Sequence, residues 1–164
     1  MGGKKKGRKP VKGKARKVID RKPSFQGWRT TDEEEVERRR WRGGTDIVSV
    51  EALDSGDVHF GAFRVQSSSG GEYITEIRSL AELENSCGCR DFETSGLGTC
   101  KHIEGVLHAL RRKGKRAFNA AAKRGSPGVE VYPSGRGEAG VRVLWPEDAD
   151  PALRERLGPM IAAL

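Results

Sequence analysis

Ser86-Cys87-Gly88-Cys89-Arg90-Asp91-Phe92, followed after a short spacer by Cys100-Lys101-His102-Ile103, uses all three cysteines of the 164-residue chain and one of its three histidines. Three thiols and one imidazole form a Cys3His set, a common closed tetrahedral shell for structural zinc. Each ligand pair is separated by one residue, where two to four are more usual. In an extended segment, residues i and i+2 project to the same face, so Cys87 and Cys89 can meet one ion, with Gly88 allowing a sharp bend between them. Cys100 and His102 can meet the same ion from a turn that opens a helix. Ile103, Val106, Leu107 and Leu110 then recur at i, i+3, i+4 and i+7, the period of an amphipathic helix. The ion would tie a strand end to a helix start.

At these residues the chain resembles the SWIM zinc-finger family, whose pattern is Cys-x-Cys, a variable spacer, then Cys-x-His followed by an apolar helix. The motif covers roughly residues 72–110. Downstream, Lys115-Arg116-Ala117-Phe118 and the text from Val129-Glu130-Val131-Tyr132 through Val141-Arg142-Val143-Leu144-Trp145-Pro146 is similar to the segment that follows SWIM modules near the N-terminus of bacterial Swi/Snf-type helicase-like ATPases. The resemblance implies roles in DNA transactions and protein contacts. It does not bring the motor with it, because the chain contains no Gly-x-x-x-x-Gly-Lys-Ser/Thr phosphate loop and is too short for two nucleotide-binding lobes.

Other chemistries fit these residues less well. Free thiols would not need four ligands in register, and a disulfide framework is opposed by the odd cysteine count and the cramped Cys-x-Cys ring. A catalytic zinc keeps a position open for water, whereas four protein donors would close the shell. No paired-carboxylate constellation supports a metal-dependent hydrolase. The expectation is therefore a non-enzymatic module with one structural Zn2+ held by Cys87, Cys89, Cys100 and His102, and with no small-molecule substrate. Asp91, Glu93 and Glu104 stand beside the ligands as possible acceptors for the imidazole N–H. His108 points off the apolar stripe of its helix and reads as solvated. His59 falls on the polar face of a strand-like run, Asp57-Val58-His59-Phe60.

Charge is unevenly placed. Residues 1–22 hold eleven Lys and Arg against the single acid Asp20, a net of +10; with +8 for the whole chain, 8 − 10 leaves −2 for residues 23–164. A stretch so basic and poor in apolar residues is expected to be disordered when free. Lys4, Lys5, Lys6, Arg8, Lys9, Lys12, Lys14, Arg16 and Lys17 are candidate phosphate contacts, because lysine and arginine displace condensed counterions from nucleic acid without reading its sequence. Arg111, Arg112, Lys113, Lys115 and Arg116, with Lys123 and Arg124, form a second basic cluster after the Ile103 helix. The partners expected are nucleic acid, DNA by preference, and a Swi/Snf-type ATPase. The alternative is a protein–protein adaptor with no direct nucleic-acid role. No apolar run reaches membrane-span length and no signal-peptide core is present, so the expected place is the cytoplasm, at the nucleoid in a bacterium.

The fold class expected is α+β, a small antiparallel sheet joined to an amphipathic helix by the metal site. Residues 1–23 form the tail, 24–125 the zinc-finger domain, and 126–164 a hairpin and helix that pack on it or lead into a further domain. Within 24–125, Thr31 and Glu34 form a capping box, acids fill the first turn, and Arg38, Arg39, Arg40 and Arg42 close a helix before Gly43-Gly44. Phe25, Trp28 and Trp41 supply aromatic anchors. Asp46–Ala52, Val58–Gln66 and Glu72–Arg78 read as an antiparallel meander separated by turn formers. The spacer Glu93–Thr99, with Gly96 and Gly98, reads as a mobile loop. Residues 129–132 and 141–145 pair as a hairpin, and Pro151 opens a last helix. That helix ends on apolar residues without a polar tail, which points to a longer parent protein or to packing on something else.

Overall fold

The chain's structure was obtained as a computed structural model, which describes residues 21–24, 29–54, 56–134 and 140–163. The basic tail to residue 20, together with Phe25 and Trp28, lies outside the described residues.

Helix α1 (Asp32–Thr45) begins where the sequence says it should. Thr31 Oγ1 accepts the Glu34 N–H at 3.3 Å, and Glu34 Oε2 accepts the Thr31 N–H at 2.9 Å, closing the capping box. Replacing Thr31 with alanine is expected to cost about 1 kcal/mol, readable as a shift in the denaturant midpoint at constant slope. Unlike the sequence reading, α1 does not stop before Gly43-Gly44. It runs through both glycines to Thr45, and Gly43 is buried against a later helix. Gly43 lets two backbones approach, and the pair does not break the helix.

Strands β1 (Ile47–Ala52), β2 (Gly61–Ser67), β3 (Glu72–Ile77) and β4 (Ser86–Cys87) form one antiparallel sheet in sequence order. The meander is as expected, with β2 shorter at its start. Val58, His59 and Phe60 form a turn, so His59 does not lie on a strand face. Its ring sits edge-on to Phe118 at 6.5 Å and its Nδ1 lies 3.5 Å from Asp57 Oδ1, so it packs on the core.

The register places Val50 beside Val65 and Tyr73, and Ala52 beside Phe63, Thr75 and Cys87. By the two-residue pleat these share one face, and the buried residues of β2 and β3 lie on it. The opposite face carries Arg64 between Glu51 and Glu72. Helix α2 (Arg90–Ser95) follows β4, and helix α3 (Lys101–Lys113) packs on the inner face with α1 beside it. Ile103, Val106, Leu107 and Leu110 are all buried there with Phe63, Val65, Ile77 and Leu80. Helix α4 (Lys115–Arg124) adds Phe118, Ala121 and Ala122 to the same core.

Two compact units divide the chain, with the boundary at residues 123 and 124. The second contains the antiparallel hairpin β5 (Glu130–Pro133) and β6 (Val141–Leu144), in which Tyr132 is buried. It ends in α5 (Pro151–Ala162), capped by Asp150 Oδ1 accepting the Ala152 N–H at 2.9 Å. Arg154 lies 5.1 Å from the Trp145 ring and holds α5 to the end of the hairpin. Among the described residues no helix is long and apolar enough to cross a membrane.

Candidate metal centre

Cys87 reaches the inner face of the sheet because β4 pairs with β3, Thr75 opposite Cys87, and Asn85 fixes the approach. The buried Asn85 side chain accepts the N–H groups of Arg78 and Ser79 at 2.8 and 2.9 Å and donates to the Ser79 carbonyl at 2.9 Å. One amide thus satisfies three backbone groups of the β3–β4 turn, which sets where the strand carrying the first ligand begins.

Cys89 caps α2, its Sγ accepting the Phe92 N–H at 3.4 Å. The spacer is therefore partly helical, where the sequence was read as a loop. Only Gly96 and Gly98, both at positive φ, make the return to Cys100. Cys100 is the N-cap of α3, so two of the three thiols stand at helix N-termini, where the dipole favours the thiolate. His102 follows in the first turn of α3.

The four ligand atoms lie within 4.8 Å of one another and all four residues are buried. His102 Nδ1 stands 3.8 Å from Cys87 Sγ and 3.9 Å from Cys100 Sγ. A tetrahedron with zinc–sulfur bonds near 2.3 Å and zinc–nitrogen bonds near 2.0–2.1 Å has edges of about 3.5–3.8 Å. The donors fit a metal ion with little adjustment. Nδ1 is the ring nitrogen that faces the thiols and would bind the ion, and Nε2 is buried and without a hydrogen-bond partner. The ring is oriented by Tyr73, stacked on it at 4.1 Å between centroids and 27° between planes.

The thiols perturb one another strongly. Cys89 is held far below an ordinary thiol, first by donation from Cys100, then from Cys87. Cys87 is pulled down by Cys100, yet Cys89, burial and the Cys89 charge outweigh that and push it up to about 12. Cys100 is raised by Cys87, then by Cys89 and burial. Thiols packed this closely oppose one another's ionisation, and a cation bound among them would favour the thiolate forms.

None of the acids flanking the ligands accepts from the imidazole, whose Nε2 has no partner. Asp91 takes a bidentate contact from Arg39, 2.6 Å to Nη2 and 3.1 Å to Nε, tying α2 to α1. Glu104 is buried and accepts from Thr99 Oγ1 at 2.7 Å, and Glu93 is exposed. His108 is half-buried beside Gly44, less solvated than its helical position implied. Of the basic candidates, Lys4, Lys5, Lys6, Arg8, Lys9, Lys12, Lys14, Arg16 and Lys17 lie outside the described residues. Arg112, Lys113, Lys115 and Arg116 are exposed across the α3–α4 junction, and Arg111 is half-buried. Asn85 and Tyr73 were not singled out from sequence. Nothing in their spacing marks them, because each acts on a ligand from a different strand or turn.

No known protein family, curated protein or solved structure matches the chain.

Proposed function

We propose that the protein is a SWIM-type zinc module that binds nucleic acid through its basic segments, alongside a Swi/Snf-type helicase-like ATPase. The observation that carries this reading is the buried Cys3His cluster, offered by one strand and two helix starts in the Cys-x-Cys and Cys-x-His pattern. The metal is zinc because thiolate-rich tetrahedral sets select it, and four protein donors fill its shell. Bound there, zinc supplies cross-linking, not a reactive water. Cys87 holds β4, Cys89 and Cys100 hold the starts of α2 and α3, and His102 anchors the first turn of α3 beneath Tyr73.

What touches the nucleic acid lies outside this clasp. Arg112, Lys113, Lys115, Arg116, Lys123 and Arg124 are exposed on α3 and α4, and the first 22 residues carry a net +10. Such surfaces neutralise phosphates and position a protein on a duplex without specifying bases. Cytoplasmic residence at the nucleoid follows from that partner.

The test is fluorescence anisotropy of a labelled duplex against salt. The full chain is expected to weaken with a log–log slope of about −0.9 per phosphate neutralised, and removal of residues 1–23 to cost about tenfold or more at low salt. Equal affinity of the full and shortened chains would remove the tail from the mechanism. A flat salt dependence would remove nucleic acid altogether.

A further inference from the structure

We propose that an extended acidic peptide from a partner protein docks between β1 and α3, adding a strand to the open edge of the sheet. Among the described residues β1 pairs on one side only, with β2. Leu53 donates its N–H to the Ala62 carbonyl at 2.9 Å. In an antiparallel ladder the backbone groups alternate, so Glu51 and Leu53 face β2 while Val50 and Ala52 turn their N–H and C=O to the open edge. The strand Ile-Val-Ser-Val-Glu-Ala contains neither the lysine nor the proline that commonly guards an edge.

Beside this edge runs an open-sided groove of about 390 Å³ between Ile47–Val50 and the face of α3 that presents Gly105, His108 and Arg112. Its inner end is the crossing of Gly43 and Gly105, where the absence of side chains keeps the wall low. Two helical turns further, Arg112 and Lys113 stand exposed at its rim. Val48, 66% exposed, offers an apolar surface within it.

Charge decides the occupant. Among the described residues the lining holds Arg112, Lys113 and His108 and no carboxylate. Glu51, the acid of β1, lies on the opposite sheet face against Arg64. An edge strand beside a helix is the geometry of strand addition, in which main-chain bonds give affinity and alternate side chains give specificity. The bulge between Ile47 and Ser49 confines backbone pairing to Val50 and Ala52, and the peptide residues beyond enter the groove along α3.

The probe is a fluorescein-labelled decapeptide of alternating valine and glutamate, titrated into the zinc-loaded full chain at physiological salt. Saturable binding is expected, with slowed hydrogen exchange at the Val50 and Ala52 amides. N-methylation of the peptide residues that face the edge should abolish it, and N-methylation of the alternate residues should leave it intact. Arg112→Glu with Lys113→Glu, both exposed and checked for folding by circular dichroism, should weaken it at least about tenfold. Absence of saturable binding would overturn the proposal. So would equal binding of a valine–lysine peptide, insensitivity to the charge reversal, or indifference to which residues are methylated, the last marking simple attraction to the basic tail. Zinc content and duplex affinity are read separately, so failure here leaves the preceding function standing.

Discussion

Chelation of zinc is expected to unfold residues 29–123 in one cooperative transition, with loss of near-ultraviolet circular dichroism and of the thermal transition. Structural zinc contributes an apparent free energy of about 10–16 kcal/mol in small zinc-finger peptides at neutral pH. A domain of this size has a net stability of only about 5–15 kcal/mol, so withdrawal of the ion takes the balance to zero or below. The reason is visible in the site. Without a cation three buried thiols crowd one pocket beside His102 Nδ1, and their mutual hydrogen bonds and burial raise Cys87 and Cys100 while Cys89 is lowered. The same four residues join β4, α2 and α3, so without the ion the helix that fills the inner face of the sheet loses its tie to the strand edge. Cys100→Ser should reproduce the chelated state. Native mass spectrometry should give one zinc per chain for the parent and none for the variant. A chelated protein that keeps its thermal transition would show that the apolar core of Phe63, Ile77, Ile103 and Phe118 suffices by itself, and the clasp would lose its structural role.

That ligand set was legible because its signal is local. Two residues at i and i+2 share a strand face, and a stripe at i, i+3, i+4 and i+7 declares a helix, whatever lies elsewhere in the chain. The capping box at Thr31 and Glu34 is local in the same way. What escaped depends on partners far away in sequence. The end of α2, residues 93–95, was read as part of a loop because the helix's cap is a cysteine sulfur, outside the usual capping residues, and because Asp91 is held by Arg39, 52 residues earlier. Glu104 looked available to the imidazole, yet the buried hydroxyl of Thr99 takes its carboxylate. His59 read as a strand residue because period-two alternation cannot show that the ladder starts at Gly61. Tyr73 carries the orientation of the metal-binding ring, and only the β2–β3 register places it on the inner face of the sheet.

Gly43-Gly44 is the instructive case, since a glycine pair after an arginine-rich helix reads equally as a stop or as a close approach. The structure makes it a close approach, and this has a sharp consequence. A Cβ at Gly105 would collide with Ile47 Cγ1 and lie 3.2 Å from Ile47 Cβ; one at Gly43 would lie 2.7 Å from the Glu104 carbonyl carbon, Glu104 Cβ and the Gly105 nitrogen. Both glycines sit in helices, where alanine alone would gain about 1 kcal/mol from propensity. The crossing reverses that sign. Gly43→Ala and Gly105→Ala are each expected to destabilise the zinc-loaded protein by about 3 kcal/mol in denaturant titrations, the upper range for overpacking a fitted site. The two should then separate. The clash at Gly105 is chiefly with a side-chain atom that Ile47→Ala removes, so in that background Gly105→Ala should recover about 1–2 kcal/mol as coupling. The clash at Gly43 is largely with backbone, which no truncation at Ile47 relieves, so its cost should persist. Gly43→Ala also displaces Glu104, whose carboxylate holds Thr99 immediately before Cys100, so it alone should lower zinc affinity measurably in a competition with a chromophoric chelator. A stabilising Gly43→Ala would return the pair to the role of a mere helix end and separate α1 from the metal clasp.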